Sequence, residues 1–257
     1  METQDVNFEN NESEEPVYDD LPDKLSPIIQ ENTSRFQGAA WFEKIKTLQI
    51  AIIGSGGIGS YTSFLISRLQ PGHIYLYDFD NVDYSNLSGQ LFCGNDVGSS
   101  KVVVMSNFIK SYSKYYNIST FGRFHRHTHI GDCDIVIGAL DNMEVRKNVF
   151  ENWEANGKED SLLIDGRLNA EEFQIFSMLK NNKEAQENYA KEWLFSSEEA
   201  DVTTCSYKQT SFMANMIGTM ITNIVVNYAY NSHFGIPIRT IPYKMYYSGP
   251  SMDFKID

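Results

Sequence analysis

The chain has 257 residues, 42% of them hydrophobic, which is enough for one large domain or two small ones with a sizeable core. Its net charge of −13 is uneven: residues 1–23 hold nine acids and no base, leaving about −4 on the rest, a balance that argues against nucleic acid as a main partner. The three cysteines, Cys93, Cys133 and Cys205, are far apart and form no C-x-x-C pair, which argues against a disulfide framework or a four-cysteine zinc site.

Residues 1–23 are acidic and almost free of aliphatic side chains, as in a disordered tail. They carry no basic-then-apolar leader pattern, and the longest apolar segment, near Met216 to Tyr230, falls short of a membrane span. A soluble, cytosolic protein is therefore expected. From Lys24 onward the chain takes on a folded character. Thr33 or Ser34 is placed to cap a helix with Trp41, Phe42 and Ile45 on its apolar side, and Arg35 stands at its head.

The stretch that organises the chain runs from Leu48 to Asp80. Ile50 to Ile53 reads as a short buried strand, and Gly54, Gly56, Gly57 and Gly59 follow it directly. A helix is expected from about Ile58 to Leu69, with Tyr61, Phe64, Leu65 and Leu69 repeating at helical spacing, and Ile74 to Tyr77 reads as the next strand. Glycines between a strand and a helix bring backbone N–H groups and a positive dipole end to a phosphate. Asp78, 19 residues after Gly59, is suited to ribose hydroxyls. The pattern predicts a nucleotide-binding βαβ unit without naming the nucleotide.

Beyond this strand Asp78, Asp80, Asp83, Asn86, Gln90 and Lys101 crowd a polar segment ahead of a helix starting near Ser100. A dehydrogenase needs one acid here; this set suits a triphosphate with Mg²⁺, carboxylates for the metal and lysine for the phosphates. FGRFHRHTH, residues 121–129, alternates as an exposed strand with three histidines on one face, a spacing that could also bind a metal. Asp134 to Ala139 is a further buried strand ending at Asp141-Asn142, with Arg146 on the helix that follows. Ser161 to Ile164 is a fourth strand, ended by Asp165-Gly166-Arg167, and Glu172 to Leu179 alternates like an antiparallel one. Residues 181–204 read as a long polar loop with some helix. After Cys205 comes a helix from about Gln209 to Tyr228 with a methionine-rich core face, then a hairpin turning at Ser248-Gly249-Pro250.

IIGSGGIGS, YDFDNVDYSNLSGQ, VGSSK and the DN-x-x-x-R of Asp141 to Arg146, in this order, resemble the ThiF/MoeB/HesA superfamily of ubiquitin-activating-enzyme-like adenylyltransferases. The resemblance implies an α/β fold with a Rossmann-like, mainly parallel sheet and a C-terminal antiparallel extension. It makes residues 24–257 one adenylation domain behind the 1–23 tail. It implies that ATP and Mg²⁺ activate the C-terminal carboxylate of a small ubiquitin-like protein or peptide as an acyl-adenylate.

Carried over, Gly54, Gly56, Gly57 and Gly59 would cradle phosphates, Asp78 would hold the ribose with Asp80 beside it, and Asn86, Gln90 and Lys101 would face the phosphates. Asp141 would bind the metal. Arg35 would reach a neighbouring subunit's ATP in a homodimer, and Cys205 stands near the position that in some members accepts the acyl group. Gly89 stands at or near a place where members usually carry an arginine, and without the zinc-binding cysteine pairs no zinc is expected. The rival readings are an NAD(P)-dependent oxidoreductase and a non-catalytic nucleotide-binding scaffold of the same fold.

Overall fold

The structure, a computed structural model, describes residues 32–194 and 209–257; the acidic tail and Cys205 lie outside them. Its centre is an eight-stranded sheet in the order β3-β2-β1-β4-β5-β6-β7-β8. Strands β1 (Gln49–Ile53), β2 (His73–Tyr77), β3 (Ile118–Phe121), β4 (Ile135–Gly138) and β5 (Leu162–Asn169) are parallel. Strands β6 (Glu172–Leu179), β7 (Lys244–Ser248) and β8 (Asp253–Ile256) continue the sheet antiparallel. This is the mainly parallel sheet with an antiparallel extension that the resemblance implies.

Alternate residues of the central strands feed two cores. Ile50 and Ile52 of β1 face helices α2 (Gly57–Ser67), α3 (Lys101–Ser113) and α6 (Ser211–Phe234), while Ala51 and Ile53 face α4 (Met143–Asn156) and α5 (Lys183–Glu192). Both sides of β1 are covered, which is why it reads as an unbroken apolar run. The chain winds from β1 through β2 to β3, then crosses back to place β4 on the other side of β1. That reversal leaves a crevice at the carboxyl ends of β1 and β4, where open α/β sheets hold ligands. Among the described residues no helix is long and apolar enough to cross a membrane.

Several local expectations need correction. The helix near Trp41 is a short α1, Ala40–Ile45, and neither Thr33 nor Ser34 caps it. Arg35 instead lies in a separate 3-10 turn, Ser34–Phe36. On α2 the buried side chains are Ile58, Ser60, Thr62, Ser63, Ile66 and Ser67; of the four on the expected repeat, Leu69 just past the helix is buried while Tyr61, Phe64 and Leu65 are half-buried. Small residues are needed because α6 crosses closely: a Cβ on Gly218 would lie 3.2 Å from the Thr62 nitrogen. Phe64 turns aside to meet Phe108 of α3 at 5.3 Å between ring centroids.

The histidine run is not a strand. β3 stops at Phe121 on the sheet's edge, and His125 and Thr128 close a turn through reciprocal hydrogen bonds of 2.9 Å. With no outer strand to pair against, alternation alone does not hold it extended. Among the described residues no three His, Cys, Asp or Glu side chains gather as a metal group. β5 runs on through Asp165-Gly166-Arg167 because β6 pairs with its whole length. α6 continues six residues past Tyr228 to end at Gly235, φ 70°, a left-handed cap.

Candidate functional site

A cavity of about 390 Å³ opens at the reversal point, floored by the ends of β1, β2 and β4. Its glycines do different work. Gly54 leaves β1 at φ 99°, and a Cβ there would lie 2.2 Å from the Ala139 carbonyl oxygen, so only glycine permits the turn. Gly59 does not line the cavity; its missing side chain lets α2 settle on the Gly54 carbonyl, where a Cβ would come within 1.8 Å. Gly56 and Gly57 line the cavity at the first turn of α2, whose early N–H groups have no partner within the helix.

Asp78 ties two loops together. One carboxylate oxygen accepts from the Ser55 N–H at 2.6 Å, the other from the Asp80 N–H at 2.8 Å. Burial raises its pKa above the ordinary carboxylate value, opposed by those two hydrogen bonds and by Lys101. Lys101 opens α3 with its side chain almost fully buried, Nζ 3.3 Å from Asp80. Both Lys101 and the acid that compensates it line the cavity. Gln90 is also buried on the wall, and among the described residues its Oε1 has no hydrogen-bond partner. Asp141 lines the opposite side, one residue before Asn142, whose side chain caps α4 by accepting from the Val145 N–H at 3.1 Å.

Behind Asp141 sits a buried ionic cluster. Arg146 pairs with Asp165 and donates to the Leu140 carbonyl, which fixes the residue before Asp141. Burial lowers the Arg146 pKa to about 10. The second Asp165 oxygen accepts from Arg167 Nε and from the Tyr189 hydroxyl, each at 2.8 Å. Arg167 in turn donates to the Trp193 carbonyl at 2.9 Å, which pins the chain just past α5.

Of the residues singled out from sequence, Gly54, Gly56, Gly57, Asp78, Asp80, Gln90, Lys101 and Asp141 line this one cavity. Asn86 does not. Its side chain accepts from the Asp83 N–H at 2.9 Å and closes the 3-10 turn Tyr84–Asn86. Arg35 is exposed and outside the cavity of its own chain. Sequence reasoning missed Phe79, Arg123 and Gln209. The Arg123 guanidinium lies 3.8 Å from the centroid of Phe79, so that an aromatic face and a cation line the cavity together, with Leu140 and Val145 also in its lining. The aromatic between two acids in Asp78-Phe79-Asp80 was the available signal for the first. Nothing in the local sequence marks the other two.

A profile described as the ThiF family matches residues 29–256. Over 121 residues, 41% of the chain, there is 30% identity to ubiquitin-like modifier-activating enzyme 5 of Culex quinquefasciatus and 31% to that of Rattus norvegicus. The match covers 30% of the length of those curated relatives. Among solved structures, E. coli MccB with MccA-N7isoASN superposes at a TM-score of 0.70 and 17% identity, covering 89% of this chain and 71% of that one. E. coli MccB with ATP gives 0.68 at 16% identity, covering 85% and 66%. At such identities the likeness is one of fold.

Proposed function

The chain belongs to the ThiF family, and on that premise we propose that it adenylates the C-terminal carboxylate of a small ubiquitin-like protein or peptide at the expense of Mg·ATP. The observation that carries the reading is the convergence in one cavity of a glycine cradle, Lys101, Asp78 and Asp141. The relatives' names and the MccB structures with ATP and with MccA-N7isoASN support the nucleotide and the kind of acceptor.

The cavity lining includes apolar groups suited to a base, Phe79, Leu140 and Val145, and polar groups suited to phosphates, Gly56, Gly57, Gln90 and Lys101. Asp78 would accept from the ribose hydroxyls with the lone pairs its two backbone donors leave open. Among the described residues three acids line the cavity, Asp78, Asp80 and Asp141, against two cations, Lys101 and Arg123. A polyphosphate entering this field needs a divalent cation with it. Mg²⁺ keeps several waters and takes one or two carboxylates besides phosphate oxygens, so Asp141 suffices as its protein ligand. When bound, the ion supplies charge neutralisation at the phosphates.

Attack of a carboxylate oxygen on the α-phosphorus forms one P–O bond and releases pyrophosphate. No side-chain nucleophile is required. The chain's task is alignment and charge stabilisation: the α2 amide groups and Lys101 hold the phosphate oxygens in line, and buried walls keep water away from the acyl-adenylate. In this reading Arg35 acts only across a homodimer, since it stands outside its own cavity. Cys205, outside the described residues, would serve afterwards by attacking the acyl carbonyl and releasing AMP.

The test is thermal unfolding with Mg·ATP, Mg·GTP, NAD and NADP, since a ligand at 100 times its dissociation constant adds about 2.7 kcal/mol. A shift with Mg·ATP, abolished by Asp141→Ala with the unliganded Tm unchanged, is expected. A shift with NAD or NADP instead would replace this reading with a dehydrogenase.

A further inference from the structure

Gln209 enters the cavity from a part of the chain remote in sequence from the glycine loop. Its backbone forms a single parallel bridge with Ala170, at the β5–β6 turn where φ is 55°. Its side chain lies across two glycines that belong to different segments. A Cβ on Gly57 would stand 2.1 Å from Gln209 Oε1, and one on Gly89 would stand 2.7 Å from Gln209 Cγ. Neither glycine has a positive φ, so the backbone itself does not call for glycine at either position. What both absences of a side chain create is a notch, and the Gln209 side chain fills it. One wall of the notch is the first residue of α2, the other is the residue before Gln90, whose Oε1 has no partner among the described residues.

We propose that Gln209 is the positioning residue that closes the phosphate-binding part of the cavity. Seated in the Gly57–Gly89 notch, with its Oε1 toward Gly57 and its Nε2 toward Gly89, it would donate from Nε2 to the anionic group held over the first turn of α2. The inference rests on the nucleotide reading above and deepens it. It assigns a hydrogen-bonding, uncharged group to a place where the resemblance would put an arginine at or near position 89. It also explains why residue 89 is glycine here: a long side chain at 89 and Gln209 compete for one space. Gln209 is four residues after Cys205 in the chain, so the element that seals the phosphates is joined to the segment carrying that thiol.

The experiment titrates Mg·ATP against the full chain by thermal shift for wild type, Gln209→Ala, Gln209→Glu, Gly89→Arg and the double variant Gln209→Ala/Gly89→Arg. Gln209→Glu keeps the shape that fits the notch, so the unliganded Tm stays near wild type. Mg·ATP affinity is expected to fall about tenfold in Gln209→Ala, where one hydrogen bond to a charged group is lost, and further in Gln209→Glu, where a carboxylate faces phosphate. Gly89→Arg is expected to lose affinity and to regain it in the double variant, where the space is open. Equal affinities for wild type, Ala and Glu at position 209, or simple additivity in the double variant, would overturn the assignment. If wild type itself shows no Mg·ATP shift, the nucleotide reading fails and this inference with it. A wild-type shift with additive variants fails the inference alone.

Discussion

Substituting Gly59 by alanine tests the contact on which the cavity floor is built. The added Cβ would stand 1.8 Å from the Gly54 carbonyl oxygen, 2.7 Å from its carbon and 3.3 Å from the Ala139 Cβ. A tolerable carbon–oxygen approach is about 3.3 Å, so helix and loop must part by about 1.5 Å. The obstacle is backbone on one side and a helical Cβ on the other, so no rotamer change relieves it. Overpacking of this kind costs about 1–3 kcal/mol, and the upper end applies where backbone must move. At about 2–4 °C per kcal/mol for a domain of this size, Tm should fall by about 6–12 °C. Displacement by more than 1 Å should also cost about 100-fold in any turnover that depends on the α2 amides. Gly94→Ala is the control, because a Cβ there meets nothing within 4 Å at an ordinary φ. Circular dichroism melts with and without Mg·ATP read both effects. A Gly59→Ala protein melting within 2 °C of wild type would refute the close-approach argument.

Removing Asp165 leaves the buried Arg146 guanidinium without its carboxylate, and Asp165→Ala should lower stability by about 3–5 kcal/mol as read from the urea midpoint. An unchanged midpoint would mean that the Leu140 and Gly166 carbonyls alone satisfy Arg146. Alkaline conditions probe the core directly. Burial raises Cys133, Tyr77 and Tyr228 each to about 12, from ordinary values of 9.0 for the thiol and 10.0 for the phenols. Below pH 9 both folded and unfolded chains keep these protons and stability is at its full value. Between pH 9 and 12 only the unfolded chain releases them, so stability should fall across that window, less steeply in Cys133→Ala. A flat unfolding free energy from pH 8 to 12 would contradict the burial assigned to these groups.

The sequence was most informative where a local pattern and its tertiary use coincide. β1, β2 and β6 match their expected bounds to within a residue because apolar, strand-forming runs of this length are what strands buried in the sheet require. Asp78 and the glycine turn were legible for the same reason: spacing along one βαβ unit fixes distance in space. What failed to show was set by partners distant in sequence. Tyr61, Phe64 and Leu65 have helical spacing, yet the face beneath them is dictated by how closely Gly218 of α6 approaches. The 125–129 histidines alternate as in a strand, but the sheet ends at β3. Asn86, read as facing the phosphates, caps a turn with its side-chain oxygen and does not line the cavity, since a polar side chain beside an unpaired backbone N–H is used locally first. Gln209 carries no local signal because its partners, Gly57 and Gly89, lie more than 100 residues away.

The reversal of winding beside β1 also sets an order of events in folding. Ile50 pairs with Ile74 on one side and with Ile135 on the other, separations of 24 and 85 residues. Closing the longer loop first would cost about 1 kcal/mol more in chain entropy, so the β1–α2–β2 unit can assemble before β4 arrives. Gly54 meets Ala139 only after that later closure. A chain halted between the two steps has its glycine turn but no cavity floor, so a nucleotide bound as proposed would grip only the finished sheet, slowing its opening without hastening its assembly.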